Sequence, residues 1–329
     1  MGWPIVPLVV VASVGAALIA SHFPSRMRGS VLAGFFASAS VGSVLGVMLG
    51  GAIASHWGWQ AAFGVVGVPG LLLALLYLRV RDYGTVALTP ALDQATRTTR
   101  EAARHIVRTL ARSRTLVWVC LGGAAQLVVV SAVWAWLPSF FNRVQGLAPE
   151  HGAMLAAGVV LAGAVGSVVW GIVVDRAGVN QPRRKLLVMA GLCLASLLLL
   201  VAAFALATDP TLQLALIVAG GLTMTCTVGP VSAIVIDVVH PGVRATGSSV
   251  LALFQNLFGL AAGPFIAGLL SDSWGLQAAL SATPLFALPA AAAFLLAART
   301  YEADAASAAD HPQPTAPAPL SANSAVGAS

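Results

Sequence analysis

Charge is scarce in this sequence: Asp, Glu, Lys and Arg make up 9% of 329 residues, against 58% hydrophobic residues and a mean hydropathy of +0.90. A water-soluble domain of this length could not cover its surface with so few charges, so lipid is the solvent expected for most of the chain. Cysteine is scarce too. Cys120, Cys193 and Cys226 each lie inside an apolar run with no ligand-spaced neighbour, which suggests neither a disulfide nor a zinc site and leaves them as packing residues. Also missing are the ~10-residue segments of alternating polarity that a transmembrane barrel requires. No nucleophile with a base, metal cluster or phosphate loop is visible, so no enzyme and no cofactor are expected. What is present in quantity is glycine, 33 residues, which suits helices packed backbone to backbone in a bilayer.

Crossing a ~30 Å hydrocarbon core takes ~20 apolar residues. Nine runs qualify, near residues 4–23, 30–54, 60–79, 116–140, 152–174, 185–207, 212–238, 248–270 and 277–298. The pI near 10 invites a nucleic-acid partner, but the basic residues belong to short loops, where they set orientation instead. With strictly alternating spans, sixteen of the seventeen Lys and Arg residues fall on one side and only Arg143 on the other. That predicts a multi-pass protein of the cytoplasmic membrane with Met1 outside and the C-terminus inside. The longest loop carries Arg100, Arg104, Arg108 and Arg112 opposite Ala103, Ile106, Val107 and Leu110, the pattern of a helix lying on the inner membrane surface. It is expected to tie two halves together, with a regulatory or lipid-sensing role as the alternative. Residues 300–329, rich in Ala, Pro and Ser, are expected to be a disordered cytoplasmic tail.

A fixed offset of 217 residues superposes Pro24 on Pro241, Gly42 on Gly259, Gly46 on Gly263, Gly51 on Gly268, Trp57-Gly58 on Trp274-Gly275 and Gln60 on Gln277. The second and third spans are therefore repeated as the eighth and ninth, and the unit is six helices duplicated in parallel orientation. Such duplication is the architecture of major facilitator transporters. On this count residues 1–80 hold three helices of an N-terminal half, 81–115 the loop, and 116–299 a complete six-helix half. Three helices, about 100 residues, are expected upstream of Met1. A signal peptide over residues 1–22 is the competing account of the first run, against which stands its lack of a basic start.

Gly171-Ile-Val-Val-Asp175-Arg176-Ala-Gly178, followed by Arg183-Arg184-Lys185, resembles the loop signature of the major facilitator superfamily. The physics is readable: Gly171 lets a helix approach, Asp175 can face a helix N-terminus, and Arg176 can pair with acids across the half, a network that would latch one conformation. Positive-inside bias alone is the other account of Arg183, Arg184 and Lys185. The run Gly42, Gly46, Gly51 resembles the family's antiporter-type signature, although the usual Gly-Pro step appears only in the second half, as Gly263-Pro264. Tight helix crossing by Gly42, Gly46, Gly51, Gly259, Gly263 and Gly268 is the preferred reading. Three further stretches are similar to the spinster-like branch, whose animal members are lipid-related transporters: Phe23 to Gly29, Trp136 to Arg143, and Val239 through Asp272.

Polar groups inside spans are costly and mark a pathway by default. Gln126, Gln255 and Asn256 are candidates for lining a central cavity; hydrogen bonding between helices is the even alternative. Asp237 with Arg244 is expected to form a cytoplasmic gate pair. Trp134, Trp136, Phe140 and Phe141 crowd the outer end of the fourth span, as an interfacial aromatic belt or, more sharply, a lid over the cavity. The function expected is secondary active transport of a small amphipathic or apolar solute by alternating access, with lipid and solute as partners, no nucleic acid, and a monomer when full length. The resemblance implies a coupling proton but assigns it to no residue here. A non-transporting membrane protein, remnant or sensor, is the alternative.

Overall fold

The computed structural model describes residues 23, 27–58, scattered positions between 60 and 68, 113–239 and 244–309. Every regular element among them is helical. In chain order they are α1 (Arg28–Trp57), α2 (Arg114–Arg143), α3 (Pro149–Ala177), α4 (Arg184–Val201), α5 (Pro210–Met224), α6 (Val228–Val238), α7 (Arg244–Phe254), α8 (Ala262–Trp274), α9 (Leu276–Ala282) and α10 (Ala287–Ala309). A π turn, Ala202–Leu206, prolongs α4, a second, Gln255–Leu260, joins α7 to α8, and a 3-10 turn, Thr283–Phe286, joins α9 to α10. Merged across these joints, seven helices are long and apolar enough to cross a membrane: Arg28–Gly46, Arg114–Arg143, Pro149–Ala177, Arg184–Leu206, Pro210–Val238, Thr246–Trp274 and Leu276–Ala306. They coincide with seven of the nine expected spans. The run at 4–23, most of that at 60–79 and the amphipathic loop helix lie outside the described residues.

Local chemistry sets the helix starts. The Ser113 hydroxyl accepts the Leu116 N–H at 3.2 Å, capping α2, and Asp209 accepts the Leu212 N–H at 2.8 Å, with Pro210 at the first position of α5. Both groups satisfy N–H donors that a helix leaves without internal partners. Two helix ends carry the repeat into the backbone. Trp57 ends α1 and Trp274 ends α8, each followed by a glycine at nearly the same positive φ, Gly58 at 82° and Gly275 at 83°. Only glycine takes that φ without cost, so the Trp-Gly pair is conformational as well as sequential.

The core lies among α2–α10, where Phe140, Phe141, Phe204 and Phe294 are fully buried. Phe140 meets Phe204 edge to face at 5.1 Å. This replaces the interfacial belt expected of Phe140 and Phe141: their rings turn inward, away from the interface. Antiparallel to α2, α10 packs with Thr115 and Thr300 hydroxyls 2.7 Å apart and Gly122 against the Phe294 ring. On another face of α2, Gly259, Gly263 and Gly268 let the π turn and α8 come close: Leu127 stands 2.8 Å from where a Cβ on Gly259 would be, Trp136 3.2 Å from that on Gly268, and Ser131 closer still to Gly263. By contrast, no described atom lies within 4 Å of such a Cβ on Gly42 or Gly46. The packing expected of those two is thus met by no described helix, and the surroundings of Gly51 lie outside the described residues.

The tail departs from expectation. α10 does not stop near residue 299 but runs to Ala309, because its extension has something to hold. Tyr301 is buried, and Asp304 accepts the Thr115 N–H at 2.7 Å and the Ser113 hydroxyl at 3.1 Å. Residues 310–329 lie outside the described residues.

Candidate functional site

Helix α1 is wedged between α3 and α6. The wedge is possible because side chains are absent where the backbones meet. At Gly171 a Cβ would stand 2.9 Å from Ala33 Cβ and 3.2 Å from the Gly29 carbonyl, and at Gly229 it would collide with the Gly29 carbonyl and Ala33. Leu32 fills the remaining space against Ala233 and Ile236.

Charge gathers at this crossing. Asp175, on the last turn of α3 and buried, points at the first turn of α1: its Oδ1 accepts the Gly29 N–H at 3.2 Å and its Oδ2 the Ser30 N–H at 2.6 Å. These amides carry the positive end of the α1 dipole, where a carboxylate is stabilised. Asp237, near the end of α6, accepts from Arg28 Nη1 at 2.7 Å. Lys185, the second residue of α4, lies between the two acids with its Nζ 3.9 Å from Asp175 Oδ1 and 3.9 Å from Asp237 Oδ2. Its buried stem runs along Gly178, where a Cβ would come within 2.5 Å of Lys185 Cγ and Cε. Among the described residues, two cations and two carboxylates thus meet in a largely buried network that joins α1 to α3, α4 and α6.

The structure brings Gly171, Asp175, Gly178 and Asp237 to one place. Arg176 is the exception among the motif residues: it is exposed and pairs with no described acid. Helix phase explains this, since neighbours on a helix are separated by ~100° and only Asp175 points inward. Lys185 makes the pairing expected of Arg176. Asp237 takes Arg28 and Lys185 as partners, while the Arg244 side chain of the expected gate pair lies outside the described ones. Arg28 and Gly229 carried no local signal, because their partners lie more than 190 residues away along the chain; only the juxtaposition of halves reveals them.

The amides divide. Gln126 is fully buried and donates to Ser196 Oγ at 3.2 Å and to the Met224 carbonyl at 3.0 Å, tying α2 to α4 and to the end of α5. Its Nε2 thus makes the helix-to-helix hydrogen bonds of the alternative reading, while its Oε1 is buried with no partner among the described residues. Gln255 and Asn256 open the π turn, where Ala261 N–H reaches back to the Asn256 carbonyl at 3.0 Å. Asn256 donates to the Ala252 carbonyl, and Gln255 Nε2 stands 3.3 Å from where a Cβ on Gly123 would be. Both are half-buried. Trp134 packs against Gly163, and its indole N–H is buried without a hydrogen-bond partner. Trp136 spends its own on the Pro264 carbonyl at 3.0 Å.

The family model described as Major Facilitator Superfamily matches residues 8–259 and 150–327. Human protein spinster homolog 3 is 27% identical over 292 residues, covering 79% of this chain and 54% of that protein. An MFS-type efflux pump of Mycolicibacterium smegmatis is 28% identical, covering 78% and 58%, and a gallate transporter of Pseudomonas putida is 28% identical, covering 84% and 65%. The chain thus spans little more than half the length of the first two. Among solved structures, a bacterial homolog of the human lysosomal transporter spinster, inward-facing and unoccupied, superposes with a TM-score of 0.58 at 23% identity, covering 85% of this chain and 68% of that one. The Escherichia coli fucose:proton symporter gives 0.65 at 15% identity, covering 89% and 73%. At these identities the likeness is one of fold, and the activities named among the relatives are transport rather than catalysis. The chain is an integral, multi-pass membrane protein with spinster-like sequence, and it belongs to the Major Facilitator Superfamily.

Proposed function

We propose that the chain carries the moving parts of a secondary active transporter, in which an N-terminal half and the six-helix half rock about a midplane cavity. The observation that supports this most is the network of Arg28, Asp175, Lys185 and Asp237, which joins the halves at one end. A network built of long-range ion pairs and a helix-terminus contact closes that end in one state and separates with little rearrangement inside each half in the other. The excess of Lys and Arg in the loops supports a cytoplasmic position for this end, together with the C-terminus.

The solute is amphipathic or apolar and small. Gln255 and Asn256 at a π turn, an element frequent at functional sites, and the unpaired indole N–H of Trp134 supply polar contacts on apolar walls, and no Lys or Arg lies within the middle of a span. A proton is the coupling ion that the family suggests. The test is reconstitution of this chain in proteoliposomes under an imposed proton gradient, with uptake of a labelled aromatic carboxylate and of a fluorescent amphipathic dye. Saturable flux that disappears when the gradient is collapsed supports the reading. Flux no greater than in protein-free liposomes means a non-transporting membrane protein.

A further inference from the structure

On the outer side of the bundle, at the same end as the ion network, α2 and α10 flank a cavity of about 400 Å³ lined by Arg114, Val117, Trp118, Leu296, Arg299 and Thr300. Nothing in the transport reading uses it. Its two guanidinium groups come from the first turn of α2 and the last membrane turn of α10. Both arginines are exposed, and neither has a described acidic partner. The nearby carboxylates are occupied: Asp304 holds the Thr115 N–H and the Ser113 hydroxyl, and Glu302 lies 4.0 Å from Arg183. No acid lines the cavity.

The floor is apolar and continues toward the middle of the bilayer. Val117 and Leu121 follow one another on α2 at helical spacing, and Leu288, Leu295 and Leu296 run along α10 on the face that ends at Arg299. Val117, Leu121, Leu288 and Leu295 are all more than 40% exposed. Trp118 stands at the level of the arginines, where an amphipathic ring marks the boundary between headgroups and acyl chains.

We infer that this cavity binds the headgroup of an anionic phospholipid, its phosphate held between Arg114 and Arg299 and its acyl chains lying along the Val117–Leu121 and Leu288–Leu296 stripes. A guanidinium presents paired donors that fit phosphate oxygens, and basic pockets between transmembrane helices at the membrane surface suit such headgroups. Selectivity follows from what is missing. The choline or ethanolamine cation of a zwitterionic lipid would find two positive charges and no carboxylate, whereas an uncharged polyol such as glycerol would meet no repulsion. The inference needs only a membrane-embedded chain and stands apart from the transport reading.

Native mass spectrometry of the whole purified chain, given equimolar phosphatidylglycerol and phosphatidylcholine, provides the test. The expected result is predominance of phosphatidylglycerol adducts, reduced about tenfold in Arg114→Gln/Arg299→Gln, unchanged in the control Arg184→Gln, and undisturbed by millimolar inorganic phosphate. Equal adducts of the two lipids on the unaltered protein, which needs no variant to fold, overturn it. So does an Arg184→Gln variant as impaired as the double variant, which would reduce the effect to general surface charge. Displacement by inorganic phosphate would assign the arginines to a free anion and overturn the lipid.

Discussion

Asp175 serves two helices with one carboxylate, and its two oxygens are not equivalent. One accepts the Ser30 N–H at 2.6 Å, the other the Gly29 N–H at 3.2 Å while facing Lys185. Asparagine in its place keeps the shape but turns one acceptor into a donor and removes one carboxylate from beside Lys185; breaking a buried pair in this way costs on the order of 3–5 kcal/mol. Asp175→Asn is therefore expected to open this end of the bundle. With cysteine introduced at Ser30, the rate of labelling by a membrane-impermeant maleimide should rise several-fold over the same cysteine with Asp175 intact; an unchanged rate would count against the latch. Sequence reading reached Asp175 through its motif, but not Arg28, which looked like one more loop charge. Gln126 shows the converse. A polar residue within a span stands out in any sequence, yet whether it greets a solute or a neighbouring helix depends on rotation about the helix axis, which the packing of α4 and α5 decides.

Among the elements, α10 was hardest to foresee. Its last ten residues offer only a narrow apolar face, Tyr301 and Ala305, and they lead into a tail whose Pro and Ser content reads as unstructured. What stabilises them is a capping arrangement between chain-distant partners, since Asp304 supplies acceptors to the start of α2 that Ser113 alone cannot. Asp304→Ala should lower stability by about 1–2 kcal/mol, read as a fall of a few degrees in the thermal unfolding midpoint in detergent, with Asp304→Asn recovering part of it. The apolar runs, in contrast, located seven spans with most edges within a few residues, because hydrocarbon thickness imposes length on each; the ends of the first and last of them, at Gly46 and Ala306, each differ from expectation by eight residues. The π turns left no mark on composition: an inserted residue changes the phase of a helix without changing its hydropathy.

For the whole molecule, the repeat was the most informative feature of the sequence, and the matched backbone at Gly58 and Gly275 gives it a conformational basis. The crossing of α1 with α3 and α6 required the folded chain. If the two halves rock, that crossing must loosen, and a cross-link there should trap one state. Ala33→Cys with Gly171→Cys, on a background free of Cys120, Cys193 and Cys226, places two sulfurs within reach after a shift of about 1 Å. Oxidation should join them in the resting protein, and reduction should restore whatever flux the cross-link removed; flux indifferent to the cross-link would argue against rocking at this crossing. The same crossing has a mechanical side. α1 is gripped most tightly at Gly29 and Ala33, while Leu45, Leu49 and Trp57 farther along are half exposed or more. A helix of that length is a lever of about 42 Å, so a tilt of roughly 10° about its gripped end would sweep Trp57 through about 7 Å, and small adjustments among four charged side chains would be magnified into an opening on the opposite face of the membrane.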